Sequence, residues 1–290
     1  MKKSRKLATL GICSALFLGL AACQQQHATS EGTNQRQSSS AKVPWKASYT
    51  NLNNQVSTEE VKSLLSAHLD PNSVDAFFNL VNDYNTIVGS TGLSGDFTSF
   101  THTEYDVEKI SHLWNQKKGD FVGPNCRINS YCLLKNSVTI PKLEKNDQLL
   151  FLDNDAIDKG KVFDSQDKEE FDILFSRVPT EATTDVKVHA EKMETFFSQF
   201  QFNEKARMLS VVLHDNLDGE YLFVGHVGVL VPADDGFLFV EKLTFEEPYQ
   251  AIKFASKEDC YKYLGTKYAD YTGEGLAKPF IMDNDKWVKL

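Results

Sequence analysis

The sequence predicts a single α+β domain in which N-terminal helices pack on an antiparallel sheet. Three observations support this class. Before Arg207, helix-start signals precede apolar residues at helical spacing. After Arg207, runs rich in valine and leucine are typical of strands. Two of these runs flank Asp235-Gly236, a strong hairpin signal, and helices followed by an antiparallel sheet are the α+β pattern.

Helix-start signals recur through the first half of the chain. Ser57 opens a capping box, Ser57-Thr58-Glu59-Glu60, before an apolar periodic run. Asp70 and Pro71 combine an N-cap with proline at the first helical position, which predicts a second helix. Further helices are predicted over 107–116, 126–134, 168–176 and 186–200.

The second half of the chain has the residue pattern of β-strands. Strands are predicted over 208–213, 221–231, 237–243 and 251–254, with residues 286–290 closing the sheet. Between the strand over 251–254 and the closing segment over 286–290, Ser256 caps a helix that is predicted to end near Tyr268.

Residues 1–22 predict a lipoprotein signal peptide. A basic head precedes an apolar run over 7–20, which is shorter than the roughly 20 residues that a permanent membrane helix needs. The run ends in Leu20-Ala21-Ala22-Cys23, which resembles the bacterial lipobox. The resemblance implies that Cys23 carries a lipid anchor and holds the mature chain on the outer face of a Gram-positive-type cell membrane. The alternative is an ordinary signal peptide followed by a chance cysteine.

Composition divides the rest of the chain into a tether and a domain. Residues 23–44 are rich in glutamine and serine and predict a flexible tether, because they offer almost no apolar surface to bury. Residues 45–290 predict the globular domain. Removal of the four basic leader residues shifts the formal charge from −9 to −13, which argues against a nucleic-acid partner and against adhesion to anionic lipid head groups.

The cysteines and acidic clusters point to no metal and no cofactor. Besides Cys23, the mature chain keeps Cys126, Cys132 and Cys260, an odd number. Cys126 and Cys132 lie on opposite sides if their segment is helical, so a bridge between them is disfavoured, whereas a disulfide from Cys260 to either stays open. The acidic run 153–158 lacks the glycine and the terminal glutamate of a calcium loop, and we interpret it as a solvated loop.

Three residues in chain order form a candidate catalytic constellation. Cys126 follows a Gly-Pro turn at a predicted helix start, where backbone N–H groups favour a thiolate and can bind an oxyanion. His226 lies on a strand between Gly225 and Gly228, an arrangement that leaves room for a neighbouring chain or a substrate. Glu241 follows on the next strand. Thiol, imidazole and acid are the parts of a nucleophilic triad.

This order of residues resembles papain-like cell-wall amidases and peptidases, namely the CHAP-type amidases and the NlpC-type endopeptidases. The resemblance covers about 121–135 and 222–243. It implies a papain-like fold with Cys126 as nucleophile, His226 as base and Glu241 as the residue that orients the imidazole. Those enzymes usually carry Asp-Cys-Ser or Gln-Cys-Thr at the nucleophile, whereas this chain has Asn125-Cys126-Arg127.

The domain as a whole resembles an uncharacterised family of Gram-positive surface lipoproteins, with which it shares Phe239-Val240-Glu241-Lys242 and Pro248-Tyr249-Gln250-Ala251. Two hypotheses follow. The first is an anchored thiol hydrolase that acts on amide bonds of peptidoglycan or surface peptides. The second is a non-catalytic surface lipoprotein that binds wall material or an envelope partner. A transporter's substrate-binding protein fits poorly, because repeated βαβ units are missing from the sequence pattern.

Overall fold

The computed structural model describes residues 45–100 and 103–290. The predicted signal peptide, the anchor residue Cys23 and the tether over 23–44 lie outside the described residues. Within the described part, no helix is both long and apolar enough to cross a membrane.

Helices and strands alternate in the first part of the described chain, and strands dominate after residue 200. The α-helices are α1 (Gln55–Ser66), α2 (Pro71–Val88), α3 (Val107–Lys118), α4 (Cys126–Leu134), α5 (Phe151–Gly160), α6 (Ser165–Leu174), α7 (Val186–Phe197) and α8 (Lys257–Lys267). The strands are β1 (Ala47–Thr50), β2 (Thr98–Ser99), β3 (Val138–Thr139), β4 (Val178–Pro179), β5 (Gln201–Phe202), β6 (Arg207–Asp215), β7 (Tyr221–Ala233), β8 (Gly236–Lys242), β9 (Tyr249–Phe254), β10 (Phe280–Asp283) and β11 (Lys286–Val288).

The main sheet is antiparallel and runs in the order β11-β10-β6-β7-β8-β9-β1-β2, with β4 added on β7. Strands β3 and β5 form a separate pair. The α+β class predicted from the sequence is therefore confirmed. Strands β7 and β8 form the predicted hairpin, although its central residues are Asp234 and Asp235 because Gly236 already pairs with Ala233. A Cβ at Gly236 would lie 2.2 Å from the Phe254 carbonyl oxygen, so glycine is required there.

Both faces of the sheet are covered, which explains why its strands read as continuous apolar runs. On β6, Met208 and Val212 pack with helices α1 to α7 in one apolar cluster. Their neighbours Leu209 and Val211 pack with α8 in a second cluster. The sheet thus separates two cores, and its central strands β7 and β8 carry buried side chains toward each of them.

Helix starts agree with the sequence where a side-chain cap sits next to the first turn. The Asp70 side chain accepts a hydrogen bond from the Ser73 amide at 3.0 Å and begins α2 as predicted. Helix α1 begins earlier than its capping box suggests, because Asn54 takes the cap position and accepts from the Ser57 amide. The interpretation of 153–158 as a solvated loop is wrong: this segment lies in α5.

Candidate active site

Cys126 is the first residue of α4, as the sequence predicted. The Asn125 side chain caps the helix by accepting from the Ile128 amide at 3.1 Å. Gly123 precedes this cap with φ +82°, and a Cβ there would lie 2.8 Å from the Trp114 ring. The left-handed glycine therefore turns the chain into the helix beside the indole. Cys126 as a whole is only 3% exposed.

A buried ion pair fixes the start of α4. Arg127 grips both carboxylate oxygens of Asp153, with distances of 2.9 and 2.7 Å. The same guanidinium donates to the Val224 carbonyl of β7 at 2.9 Å, and the Asn125 amide donates to Asp153 at 2.7 Å. Asp153 is fully buried in α5. These contacts therefore fix the turn over residues 123–126 (the cysteine turn) to both α5 and the central strand β7.

His226 lies on β7 directly after a β-bulge. Val211 of β6 pairs with His226 and Val212 pairs with Val224, so Gly225 is the extra residue of the bulge. A bulge changes the direction of the neighbouring side chain. Helix α4 packs against this stretch, where the Ser130 hydroxyl donates to the Val227 carbonyl at 3.2 Å.

The structure places the three predicted site residues in one buried cluster. Cys126 lies close enough to His226 to raise the pKa of the imidazole. On the other side of the ring, Nε2 lies 2.5 Å from Glu241 Oε2. His226 and Glu241 are each 1% exposed. A thiol, an imidazole and a carboxylate therefore lie together in the order that a nucleophilic triad requires.

Helix α8 supplies a second set of contacts that the sequence analysis missed. The Tyr263 hydroxyl donates to Glu241 Oε1, and Lys267 Nζ lies 3.7 Å from the same oxygen. The Tyr268 ring stacks on the His226 ring, with centroids 4.8 Å apart and planes at 23°. The spacing of Tyr263 and Lys267 by four residues is a local signal that both face the same way, but nothing in the sequence connects them to Glu241.

These contacts shift the pKa values of Glu241 and His226 and so set their protonation states. Burial alone raises the pKa of the Glu241 carboxyl, but the Lys267 charge and the hydrogen bond from His226 outweigh it and lower the pKa to about 2. Burial alone lowers the pKa of His226, yet its interactions with Cys126 and Glu241 leave that pKa raised. The site therefore keeps a carboxylate at every physiological pH and favours an imidazolium beside the thiol.

The glycines beside His226 make room for neighbouring strands. A Cβ at Gly225 would lie 2.3 Å from the Leu213 side chain. A Cβ at Gly228 would lie 2.3 Å from the Phe239 ring and 2.8 Å from the Val240 carbonyl oxygen. Of the two alternatives that the sequence left open, the neighbouring chain accounts for both glycines.

A cavity of about 560 Å³ opens beside the cysteine turn. Gly123 and Pro124 form part of its wall, and Lys242 of β8 forms another part. The Lys242 ammonium donates to the carbonyls of Thr244 and Phe245, at 2.8 and 3.1 Å, and to the Glu247 carbonyl. It also lies 4.2 Å from the centre of the Tyr84 ring. Burial lowers the pKa of Lys242 to about 7, although nearby carboxylates and Cys126 oppose the shift.

The other two described cysteines differ from Cys126 in their surroundings. Cys126, Cys132 and Cys260 are all free thiols, so the disulfide that the sequence left open from Cys260 is not formed. Burial raises the pKa of Cys132 to about 12 and that of Cys260 well above its usual range. Among the described residues, no group of three or more histidine, cysteine or acidic side chains could hold a metal ion.

Comparison with known proteins places the chain in a family. Residues 48–288 match the family model described as Domain of unknown function (DUF4300), and the chain therefore belongs to this family. Curated proteins and solved structures give no match. The matched stretch includes Cys126, His226 and Glu241, so all three residues lie inside the family's domain.

Proposed function

We propose that this member of the DUF4300 family is a membrane-anchored thiol hydrolase of papain-like form that cleaves amide bonds of cell-wall or surface peptides. The observation that carries the proposal is the buried hydrogen bond between His226 and Glu241, beside a cysteine at a helix start that is close enough to the imidazole to raise its pKa. A structural histidine needs one or two partners, but it does not need a thiol at a helix start on one side and a fixed carboxylate on the other.

Each residue has a role that its contacts support. The sulfur of Cys126 attacks the amide carbonyl carbon while His226 holds the thiol proton, and backbone N–H groups of the first turn of α4 bind the developing oxyanion. His226 then gives the proton to the leaving amine as the C–N bond breaks, which leaves a thioester on Cys126. Water attacks the thioester, His226 takes its proton, and the carboxylic acid leaves as the thiol is restored. Glu241 orients the imidazole throughout.

A second candidate is a non-catalytic surface lipoprotein that binds wall material. One observation favours it: Cys126, His226 and Glu241 are 3%, 1% and 1% exposed, so a substrate reaches the sulfur only after the cysteine turn shifts. The two candidates differ in the reactivity of the thiol, because a purely structural Cys126 would be as inert as the other buried cysteines.

Selective alkylation distinguishes the two candidates. We expect iodoacetamide to modify Cys126 at least about 10-fold faster than Cys132, since only Cys126 combines a helix start with an imidazole. Peptide mass spectrometry of the native protein gives both rates. Cys132 is an internal control, because it lies on the same helix and is 2% exposed against 3% for Cys126. Equal rates would overturn the hydrolase. In parallel, purified Gram-positive cell walls should release peptides with the wild type and with Cys132→Ser, but not with Cys126→Ser.

The predicted anchor has its own test. The lipobox resemblance at Cys23 leads us to expect that the wild-type chain fractionates with the membrane and that Cys23→Ala is released or stays unprocessed. Cell fractionation with mass measurement of the mature N-terminus checks this. Cys13→Ala is the matched control, since it changes a cysteine inside the leader. A Cys23→Ala chain that is processed and anchored like the wild type would contradict the lipid anchor.

A further inference from the structure

We propose that Lys267 and Tyr263 of α8 are positioning residues for the proton of His226. They share the negative charge of Glu241 with the imidazole, and this sharing lets His226 release its proton to a leaving amine. The inference rests on the proposed function, because it concerns the proton transfer that follows attack by Cys126. It adds two residues outside the triad that act through Glu241.

The carboxylate of Glu241 is held from two sides. Its Oε2 lies 2.5 Å from His226 Nε2. Its Oε1 accepts a hydrogen bond from the Tyr263 hydroxyl and lies 3.7 Å from Lys267 Nζ. The Glu241 side chain is fully buried, so these neighbours, and not bulk water, determine how its charge is distributed.

The direction of the hydrogen bonds follows from Lys267. Its ammonium donates to the Tyr263 oxygen at 2.8 Å, and an ammonium group cannot accept. The Tyr263 proton therefore points to another acceptor, either Glu241 Oε1 or the more distant Gln250 Oε1 at 3.5 Å. The carboxylate is both the closer and the charged acceptor, and charged acceptors form the stronger hydrogen bonds. Tyr263 thus connects the positive charge of Lys267 to Glu241.

Lys267 supplies the positive charge behind Glu241. Other titratable groups that face Glu241 or His226 are Cys126 at the start of α4, Cys260 and Tyr268 at α8, Tyr105 before α3, and Glu247 between β8 and β9. None of these five is a cation. Burial opposes the ionised form of Glu241, and the Lys267 charge is the first of the interactions that overcome burial and lower the carboxyl pKa to about 2.

Charge sharing suits the second proton transfer of the proposed reaction. A buried carboxylate that served the imidazole alone would hold the imidazolium proton tightly, and a general acid works best when its pKa lies near the working pH. Lys267 and Tyr263 compete with His226 for the charge of Glu241. The ring therefore stays basic enough to take the thiol proton and acidic enough to pass it on.

Histidine NMR titration tests the charge sharing. Cys126→Ser is the parent protein, so that the His226 ring titrates without a thiol beside it, and an added His226→Gln assigns its signal. We expect Lys267→Met and Tyr263→Phe each to move the His226 midpoint upward by at least about 0.5 pH unit, because each leaves more of the Glu241 charge to the ring. Lys267→Arg keeps the positive charge and should stay within about 0.2 pH unit of the parent. A merely structural contact of α8 would change stability without this dependence on charge.

Lys262→Met is the matched control, because it removes a lysine from the same helix. Lys262 pairs with Asp259 at 3.9 Å, and its side chain is 53% exposed. It should titrate like the parent. An unmoved or lowered midpoint in Lys267→Met, or an equal rise in the control, would overturn the inference. Where Lys267→Met does not fold, Tyr263→Phe decides by the same criterion, since it removes only a hydroxyl group.

The pH profile of the active protein gives a second readout. With Cys126 in place, Lys267→Met should move the alkaline limb of wall-peptide release to higher pH, because that limb reports loss of the His226 proton. The results separate the two proposals. A raised NMR midpoint with an inert Cys126 refutes only the hydrolase, and a selectively alkylated Cys126 with an unmoved midpoint refutes only this inference.

Discussion

Replacement of Arg127 by methionine is expected to lower the free energy of unfolding by about 3–5 kcal/mol. The guanidinium is the bidentate partner of Asp153, whose side chain is fully buried. Removal of the cation leaves a buried carboxylate with only the Asn125 amide as a polar partner, and a buried unpaired charge is far more costly than the loss of a surface pair. Urea unfolding followed by circular dichroism measures the change.

Two further variants make this prediction specific. Lys168→Met removes an exposed lysine–aspartate pair and should cost no more than about 1 kcal/mol. The double variant Arg127→Met/Asp153→Leu removes both buried charges together and should recover much of the stability lost in the single variant. If the unfolding free energy of Arg127→Met lay within about 1 kcal/mol of the wild-type value, the ion pair of Arg127 and Asp153 would not hold the cysteine turn.

Local signals were enough to predict much of the fold. Asp70 caps α2 by accepting from an amide three residues later, and Cys126 begins α4 directly after its Gly-Pro turn. In both cases the residues that start the helix are adjacent in sequence, so the start can be predicted from a short segment. The hairpin between β7 and β8 was predicted from one turn for the same reason. Strand β1 was missed because its four residues acquire their structure from pairing with β9, some 200 residues away.

The candidate site shows the same division between local and distant causes. Chain order predicted that Cys126, His226 and Glu241 meet, since a helix start and two adjacent strands are each marked locally. The sequence showed Arg127 only as an unusual residue after the candidate nucleophile, because the cell-wall enzymes carry Ser or Thr there. Its partner Asp153 lies on α5, which the sequence predicted to be a loop. A buried ion pair across 26 residues leaves no periodic signal in the sequence. Such partners become visible only when the helices are packed.

Replacement of Glu241 by glutamine is expected to remove a large part of the acid sensitivity of the fold. The carboxyl pKa is lowered from 4.5 to about 2, because the Lys267 charge and the His226 hydrogen bond outweigh burial. A lowered carboxyl pKa stabilises the folded state above pH 4.5, and this stability is lost as the pH falls toward 2. The shift corresponds to about 3 kcal/mol. The raised pKa of His226 acts in the opposite range, since its stabilisation is complete below pH 6.5 and declines only as the pH rises further.

Denaturant unfolding of the wild type and Glu241→Gln at steps between pH 5 and pH 2 measures the effect. The stability advantage of the wild type over the variant should shrink by about 3 kcal/mol across this interval, as the carboxylate of the wild type becomes protonated. Glu60→Gln is the matched control, because its carboxylate pairs with Lys253 at the surface and its side chain is 44% exposed; its difference from the wild type should stay within about 1 kcal/mol. A Glu241→Gln protein whose difference from the wild type is the same at pH 5 and pH 2 would mean that Glu241 is not held as a carboxylate by His226 and Lys267. The orienting role proposed for it would then be lost, because a neutral acid cannot stabilise the imidazolium that forms when Cys126 gives up its proton.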